Sequence, residues 1–578
     1  MVVDGVFANV DLFTKNPIIL FCFAKSEIAF GYTRHSTVLL CKTVECRVYL
    51  EAMKHFSKLY SIQTTGLSTQ IINIETDITR TGNKNSFNIV GLPDKAVEEA
   101  RDRINAAIKN SGFSSPKTGA GKTVISLAPA DVKKEGAFFD LGMALGYLLA
   151  DGKITFNTDK KIFLGELSLD GKLRAIKGVL LLAQGAQKQG FKEIYVPKEN
   201  AREAALIKDI DVYAVSSFSE LVEHLNISPK NKTAGEGSVA VKIKVQENTQ
   251  IKNDSVKTPI DFADIRGQEN AKKALEIAAA GGHNIAMYGP PGTGKTMLAR
   301  AFVGILPTLS YEEVLEVTGI HSLAGTLEGD LITKPPFRSP HHTSSYVSIV
   351  GGGAVPKPGE ITLAHKGALF MDEFPEFEKR VLESLRQPLE DRVINISRVK
   401  GNESFPANFI LIAAMNPCPC GYFASNKKTC TCTQSQLNNY KRKLSGPIMD
   451  RIDLWVHVGE LEYEKLSTKN EDERQSESEK IRKKISEARL IQNERLKICG
   501  LSTNGEMGAR EIEKFAMLEK EATQTLLSAA KNTNLSPRSY HKVIKVARTI
   551  ADLDKSKYIS DKHILLALNY KPEKLPTK

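Results

Sequence analysis

The segment Gly289-Pro-Pro-Gly-Thr-Gly-Lys-Thr296 matches the spacing G-x-x-x-x-G-K-[ST] at every fixed position. An apolar run, Asn284-Ile-Ala-Met-Tyr288, precedes it, and a helix-forming run, Met297-Leu-Ala-Arg-Ala301, follows it. A strand, a glycine-rich loop and a helix in this order bind phosphate, because backbone N–H groups and the helix N-terminus attract its oxygens. The segment therefore predicts an ATP site in a parallel α/β domain. The candidate nucleotide contacts are Gly289, Pro290, Pro291, Gly292, Thr293, Gly294, Lys295 and Thr296.

A second apolar run, Gly367-Ala-Leu-Phe-Met-Asp-Glu373, ends in two carboxylates. We expect Lys295 to reach the β- and γ-phosphates, and Thr296 and Asp372 to hold Mg²⁺. Glu373 would polarise the attacking water. The alternative is an ordinary strand leaving the core, which the phosphate loop makes the weaker interpretation.

A third apolar run, 409–416, ends in the amide of Asn416. Open α/β sheets bind their ligands at the carboxyl ends of the strands. We therefore expect Asn416 to orient the water beside the γ-phosphate.

The composition indicates a soluble globular protein. Of its 578 residues, 41% are hydrophobic and 25% charged, and this length predicts three or four domains. The net charge of +12 makes an anionic partner plausible, with a solvated basic surface as the alternative. The sequence has no run of 18 apolar residues and no secretory signal pattern, so we expect a cytoplasmic protein without a membrane span.

The sequence divides into segments of different character. Residues 1–52 show no regular period, so we expect a non-native or disordered extension, with the native start at Met53. Strand-like runs and the amphipathic helix Ala96–Ser111 predict an α/β domain over 53–227. The further predicted segments are a polar linker at 228–258, the ATP-binding α/β core at 259–465, and a charged helical domain at 466–570 with long helices at Glu473–Arg495 and Ala509–Lys531.

Half of the eight cysteines lie close together, at Cys418, Cys420, Cys430 and Cys432. Four thiolates satisfy a tetrahedral Zn²⁺ ion. The C-x-C spacing is tighter than the usual C-x₂-C, and a loop of reduced thiols is the alternative. Zn²⁺ is therefore a candidate cofactor beside ATP and Mg²⁺.

Several unusual strings occur in a fixed order along residues 53–570. They are Val90-Gly-Leu-Pro-Asp94, Leu127-Ala-Pro-Ala-Asp131, Phe337-Arg-Ser-Pro-His-His-Thr343, Ala414-Met-Asn-Pro-Cys-Pro-Cys-Gly421, Gly446-Pro-Ile-Met-Asp-Arg-Ile-Asp453 and Lys545-Val-Ala-Arg-Thr-Ile-Ala-Asp552. In these strings the chain resembles the Mg-chelatase-like AAA+ proteins, and most closely the bacterial competence ComM/YifB group.

The resemblance implies a homo-hexameric ring with ATP sites at the subunit interfaces. Arg451 resembles the arginine finger that reaches a neighbour's γ-phosphate, and Arg538 resembles the second sensor arginine. Ile265 and Gln268 resemble residues near the adenine base. An ordinary surface salt bridge is the alternative for each arginine.

The function that the resemblance implies is ATP-dependent branch migration of DNA, on branched or single-stranded recombination intermediates, during natural transformation. The rivals are a chelatase-type motor subunit that remodels a protein partner, an ATP-dependent protease, and a non-enzymatic clamp. Lys295, Asp372 and Glu373 disfavour the clamp.

Two regions are candidates for contact with DNA. One is the string around Arg338, which lies in a long insertion between Thr296 and Asp372. The other is a predicted hairpin, Arg392–Phe405, whose cations Arg398 and Lys400 lie near its tip. A cation at a hairpin tip suits a phosphate backbone passing through a ring, and a solvated tip is the alternative.

The first α/β domain resembles the proteolytic domain of Lon-type proteases, through Gly165–Leu173 and Ile194–Asn200. Those enzymes use a Ser/Lys dyad. Where the serine is expected the chain reads Glu135-Gly-Ala-Phe-Phe-Asp140, and where the lysine is expected it reads Gly178-Val-Leu-Leu-Leu182. Both reactive groups are missing, so we expect a scaffold or a DNA-binding platform rather than a peptidase.

Overall fold

A computed structural model describes residues 55–80, 85–118, 121–226, 242–250, 260–327, 329, 331–353, 357–398, 401–423, 428–460 and 477–571. The predicted extension at 1–52 and most of the predicted linker at 228–258 lie outside these ranges. No helix among the described residues is long and apolar enough to cross a membrane.

The first α/β region is built on a seven-stranded mixed sheet. Its strands and those of a small hairpin are β1 (Phe56–Thr65), β2 (Ser68–Thr79), β3 (Ser86–Val90), β4 (Lys122–Ala128), β5 (Lys161–Phe163), β6 (Glu166–Leu167), β7 (Leu173–Arg174), β8 (Glu193–Pro197) and β9 (Asp211–Val215). The sheet order is β3-β4-β2-β1-β5-β8-β9, and β2 runs antiparallel to both of its neighbours. β6 and β7 pair separately.

The helices of this region are α1 (Lys95–Asn110), α2 (Asp140–Ala150), α3 (Val179–Lys188), α4 (Ala201–Ala204) and α5 (Phe218–Leu225). The prediction of a helix at Ala96–Ser111 is confirmed within one residue at each end. Asp94 caps α1 by accepting a hydrogen bond from the backbone of Val97 at 2.8 Å. The apolar residues whose helical spacing predicted α1 are buried in the core.

The second α/β region carries the phosphate loop on a five-stranded parallel sheet. Its strands are β10 (Ile285–Tyr288), β11 (Phe337–Arg338), β12 (Gly351–Gly352), β13 (Lys357–Pro358), β14 (Ala368–Met371), β15 (Val393–Arg398), β16 (Gly401–Pro406), β17 (Ile410–Met415) and β18 (Leu454–His457). The sheet order is β11-β14-β17-β10-β18, while β12–β13 and β15–β16 form separate antiparallel pairs. Every residue of β14 and β17 is buried, because helices cover both faces of a parallel sheet.

The helices of this region are α6 (Glu269–Gly281), α7 (Lys295–Ile305), α8 (Tyr311–Ala324), α9 (Tyr346–Val350), α10 (Glu360–Leu363), α11 (Lys379–Ser384), α12 (Arg386–Asp391), α13 (Gln434–Lys443) and α14 (Gly446–Met449). β14, β17 and β10 are adjacent and parallel. Their carboxyl ends therefore bring Asp372, Asn416 and the phosphate loop to one edge of the sheet.

The C-terminal region is helical, as predicted. It contains α15 (Glu477–Leu496), α16 (Ala509–Phe515), α17 (Lys520–Thr533), α18 (Pro537–Leu553) and α19 (Asp561–Leu568). The prediction of one helix over Ala509–Lys531 is wrong, since the segment forms α16 and α17. Backbone hydrogen bonds from Ile559 to Met517 (2.9 Å) and from Glu519 to Ile559 (3.0 Å) hold the chain extended between them. This tertiary pairing overrides a local sequence that favours helix.

Buried hydrogen bonds join the two α/β regions through α8. Ser322 Oγ donates to Glu203 Oε1 at 2.6 Å and accepts from the backbone N–H of Gly178 at 3.0 Å. The same carboxylate of Glu203 accepts from the backbone N–H of Leu180 at 3.2 Å. Because these groups are buried, separating the two regions would remove the hydroxyl of Ser322 from the Glu203 carboxylate and from the backbone N–H of Gly178.

The described part of the predicted linker, 242–250, packs against the first sheet. Val245 forms an antiparallel bridge with Tyr213, and Ile243 is buried. The backbone N–H of Gln246 donates to the carbonyl of Val212 at 2.8 Å. These residues therefore belong to the first α/β region, which their polar composition did not indicate.

Candidate ATP site

The phosphate loop turns on two glycines with positive φ, Gly292 at +77° and Gly294 at +91°, which L side chains rarely adopt. α7 then begins at Lys295. The ammonium group of Lys295 donates to the carbonyls of Gly289 and Pro290 at 2.8 Å each. Burial lowers the pKa of Lys295 below its usual value, although Asp372 opposes the shift.

Thr296 and Asp372 meet at the start of α7. Thr296 Oγ1 donates to Asp372 Oδ2 at 2.9 Å, and the other carboxylate oxygen accepts from the backbone N–H of Glu373 at 2.9 Å. Hydroxyl and carboxylate oxygens are ligands that Mg²⁺ prefers. The predicted Mg²⁺ ligands are thus within hydrogen-bond distance of each other, and this donor set fits the ion.

Asn416 extends the site along the sheet edge. Its Oδ1 atom lies 3.4 Å from Lys295 Nζ, and its backbone carbonyl accepts a hydrogen bond from the hydroxyl of Tyr440 at 3.0 Å. The structure therefore brings the predicted sensor amide next to the predicted phosphate lysine. Tyr440 lies on α13, and no motif in the sequence pointed to it.

Glu373 follows Asp372 in a left-handed backbone conformation, with φ of +50°. Its Oε2 atom lies 3.2 Å from Nδ1 of His342. His342 belongs to the loop after β11, where its ring packs at a tilt of 32° against that of His341, with centroids 4.2 Å apart. The string Phe337–Thr343 was conspicuous in the sequence, but its contact with Glu373 depends on the pairing of β11 with β14.

Arg451 and Arg538 converge on one carboxylate. Glu390, near the end of α12, forms an ion pair with Arg451 and lies 3.4 Å from Arg538. Burial opposes ionisation of Glu390, but the two guanidinium groups hold its pKa below the usual value. Arg451 also donates to the carbonyls of Arg386 (3.1 Å) and Pro447 (2.7 Å). The two predicted phosphate-sensing arginines therefore share one surface.

The predicted base-side residues lie near the other end of the loop. Ile265 is buried, and Gln268 adopts a φ of +60° just before α6. The side-chain amide of Gln268 donates to the carbonyl of Gly459 at 2.6 Å. A Cβ atom on Gly289 would lie 2.0 Å from the carbonyl oxygen of Val458, so this segment lies directly against the phosphate loop.

The four clustered cysteines come together with their sulfur atoms all within 4.8 Å of one another. Sγ of Cys418 lies 3.3 Å from that of Cys420 and 3.8 Å from that of Cys430, and none of the four forms a disulfide. Zinc–sulfur bonds of about 2.3 Å in a tetrahedron place the sulfurs about 3.8 Å apart. The dimensions and chemistry of this donor set fit one Zn²⁺ ion.

The candidate DNA contacts differ in how the structure presents them. Arg338 is half-buried and forms a bidentate pair with Glu360, at 2.6 and 2.7 Å. β15 and β16 confirm the predicted hairpin. The side chain of Arg398 and the whole of Lys400 lie outside the described residues.

The protease-like region has phenylalanines at the position where Lon-type proteases have their serine nucleophile. Phe139 is fully buried, and the rings of Phe138 and Phe139 lie 4.5 Å apart. Gly178 lies at the start of α3, where it contacts Ser322. These residues pack the core and join the two α/β regions.

Comparison with protein families gives three matches. Residues 261–466 match the family described as magnesium chelatase, subunit ChlI; residues 74–200 match subunit ChlI of Mg-chelatase; and residues 475–571 match the C-terminal region of subunit ChlI. The second sheet, with its phosphate loop, thus lies within the first of these matches.

Individual relatives extend the similarity over most of the chain. The competence protein ComM of Haemophilus influenzae is 39% identical over 515 residues, which cover 89% of this chain and 97% of the relative. YifB of Escherichia coli is 40% identical over 517 residues, covering 88% and 95%. Lon protease 2 of Bacillus subtilis is 28% identical over 184 residues, covering 28% and 33%. The chain therefore belongs to the ComM/YifB group of Mg-chelatase-like AAA+ proteins.

Proposed function

We propose that this protein is an ATP-driven DNA translocase that assembles as a hexameric ring and promotes branch migration of recombination intermediates in the cytoplasm. The observation that carries the proposal is the convergence of Lys295, Thr296, Asp372 and Asn416 at one edge of the parallel sheet. Similarity to a competence protein supports a role for the activity during uptake of DNA.

In the proposed reaction the chain binds ATP·Mg²⁺ and hydrolyses it. Lys295 and the loop N–H groups hold the phosphates, Thr296 and Asp372 hold Mg²⁺, and Glu373 orients the attacking water. Mg²⁺ would neutralise charge on the phosphates. Asn416 is placed to contact the γ-phosphate or the water, because its amide lies beside Lys295.

The proposed ring rests on the two arginines. Arg451 and Arg538 share Glu390 on one surface of the subunit. We assign both to the nucleotide of the adjacent subunit, where a guanidinium group stabilises charge on the transferring phosphoryl group. Each ATP site would then be complete only at an interface.

The path of DNA is assigned to the β15–β16 hairpin. Its tip carries the predicted cations, and the formal net charge of +12 favours a polyanionic partner. Arg338 is the weaker candidate, because its guanidinium group is already neutralised by Glu360.

The cofactor set includes one Zn²⁺ ion at Cys418, Cys420, Cys430 and Cys432. The distances of 3.3 to 3.8 Å among the sulfurs of Cys418, Cys420 and Cys430, with all four sulfurs within 4.8 Å of one another, support this assignment. Purified protein should contain one zinc per chain by mass spectrometry of the metal.

The test of the function is ATP hydrolysis measured with no DNA, with duplex DNA and with four-way branched DNA, together with conversion of the branched substrate. We expect branched DNA to stimulate hydrolysis, and ATP to drive conversion of the branch. ATP hydrolysis that no DNA affects, with no conversion, would reject DNA translocation. That result would favour a chelatase-type motor acting on a protein partner.

A further inference from the structure

The cysteine cluster connects two elements that meet at the ATP site. Cys418 and Cys420 follow Asn416 almost directly, at the end of β17. Cys430 and Cys432 lie just before Thr433, whose hydroxyl caps α13. Whatever holds the four sulfurs together therefore also fixes α13 against the end of β17.

The apolar packing around the four sulfurs is small. The described residues that pack around the sulfurs form a small apolar cluster, in which Leu437 is the one buried residue other than a cysteine and Phe423 is partly buried. So small a core buries too little surface to order a loop by itself, and metal binding is a common substitute. The backbone N–H of Cys420 also points at Cys432 Sγ, 3.4 Å away, as suits a sulfur carrying negative charge.

The turn inside the cluster packs against the phosphate loop. Gly421 has a φ of +83°, and a Cβ atom there would lie 2.8 Å from Cδ of Pro291 and 3.9 Å from Cγ of Asn416. A side chain at this position would strike Pro291. The cluster thus lies in direct contact with the nucleotide-binding residues on one side.

α13 contacts the site on the other side at two points. The hydroxyl of Tyr440 donates to the carbonyl of Asn416 at 3.0 Å. Nζ of Lys443 lies 2.6 Å from the carboxylate of Glu376, in the 3₁₀ turn that follows Glu373. A shift of α13 would therefore move both Asn416 and the segment that carries Glu373.

We propose that ATP hydrolysis depends on the metal held by the four cysteines, because the metal keeps Asn416 and the segment after Glu373 in position. The inference rests on the proposed ATPase and on zinc at the cluster. Loss of the metal should lower turnover and leave nucleotide affinity nearly unchanged. The reason is that β10 and α7 flank the phosphate loop and carry most of its support, whereas the cysteine turn touches the loop at Pro291.

The first experiment removes the metal reversibly from the full-length protein. A chelator that takes Zn²⁺ and spares Mg²⁺ is applied, kcat is measured by phosphate release, and the Kd of a fluorescent ATP analogue is measured by titration. We expect kcat to fall about tenfold or more, in line with the loss of outer-shell support at a catalytic site. The Kd should change less than about threefold, and added Zn²⁺ should restore kcat.

Variants separate the metal from the thiols and from general folding. Cys432→Ser should lose zinc and turnover together, whereas Cys432→His, which supplies a nitrogen ligand, should retain much of both. Cys499→Ser, at an exposed cysteine outside the cluster, is the matched control and should behave like wild type. Tyr440→Phe removes the hydroxyl that reaches Asn416, so it should lower kcat while zinc remains bound.

The outcomes distinguish the inference from the proposals beneath it. A zinc-free protein with full turnover overturns the zinc assignment and the inference with it. Zinc whose removal leaves kcat unchanged overturns only the inference. Equal losses of affinity and turnover also overturn it, since the metal would then hold the whole domain. A wild type without ATPase activity rejects the proposed function and the inference, and leaves the zinc measurement standing.

Discussion

Substitutions of Glu373 and Lys295 should impair different steps, namely ATP hydrolysis and ATP binding. Glu373→Gln removes the carboxylate that orients water and preserves its shape, so ATP should still bind while hydrolysis falls at least about a hundredfold. Lys295→Ala removes the phosphate cation and should weaken ATP binding itself. Nucleotide titration and phosphate release on both variants check this. Normal turnover in Glu373→Gln would reject the assignment of the water-orienting role.

His342 gives a second prediction for a single residue. Its imidazole lies 3.2 Å from the Glu373 carboxylate and competes with water for it. His342→Ala should therefore raise ATPase activity without DNA, by roughly two- to fivefold, because a partly exposed pair of this kind is worth at most about 1 kcal/mol.

The matched control for His342 is His341→Ala. The ring of His341 packs at a tilt against His342, and its Nδ1 atom forms a hydrogen bond with Thr343 Oγ1 at 2.8 Å. Its loss should leave the activity without DNA close to that of wild type. A fall in activity for His342→Ala would mean that the imidazole supports catalysis rather than restraining Glu373.

The nucleotide-binding residues could be predicted from the sequence, but several residues that contact them could not. Lys295 and Asp372 were predictable because phosphate and Mg²⁺ chemistry requires those residue types after apolar strands. Glu390 was not, because its partner Arg451 lies 61 positions away along the chain. Tyr440 was not predicted either, since a tyrosine on a polar helix carries no local sign of its carbonyl partner.

Among the elements, the β15–β16 hairpin has the clearest test. Lys400→Ala should slow branch migration on all DNA sequences alike, because a phosphate contact carries no base information. ATPase activity without DNA should survive, since the hairpin is a separate element from the phosphate loop. Lys153→Ala, an exposed lysine in the first α/β region, is the control. If migration by Lys400→Ala stays at the wild-type rate, another element grips the DNA.

A second prediction for an element concerns α18, which contains the string 545–552. Asp552 is buried and accepts from Arg495 at 2.6 and 2.8 Å and from Arg548 at 2.9 and 3.1 Å. Asp552→Asn should destabilise the helical domain by about 3–5 kcal/mol, because the buried guanidinium group of Arg548 and the partly buried one of Arg495 lose their anion. Thermal unfolding measures this.

Asp554→Asn is the control for this network. Asp554 is about half exposed and faces His563 at 3.5 Å. Its substitution should change the unfolding temperature little. A similar fall in the unfolding temperature of both variants would show that the Asp552 network does not stabilise the domain more than an exposed ion pair does.

The same helical domain shows which structural features hydrophobic periodicity does not predict. α1, in the first α/β region, was predicted well because the apolar face that indicates it is local to the helix. The break between α16 and α17 was missed because Ile559, about 40 positions further on, supplies the backbone partners. Long-range pairing of this kind leaves no mark in an 18-residue window.

The proposed ring leads us to expect complementation between two kinds of inactive subunit. Arg451→Ala should assemble and bind ATP but hydrolyse it poorly, because the neighbour's transition state loses a cation. Mixing it with Lys295→Ala subunits should restore part of the activity, at interfaces that pair an intact loop with an intact arginine. ATPase activity across mixing ratios measures this. Full activity of Arg451→Ala alone would exclude the role.

In the proposed ring, the sharing of Glu390 by Arg451 and Arg538 would link subunit contact to nucleotide binding. In the single subunit the carboxylate pairs with both guanidinium groups and offsets part of their charge. A neighbour's γ-phosphate would compete with Glu390 for these arginines, so ATP would help to close the interface and hydrolysis would return the arginines to Glu390. By linkage, dilution that opens the ring should also release ATP, and the midpoint of nucleotide binding should depend on protein concentration.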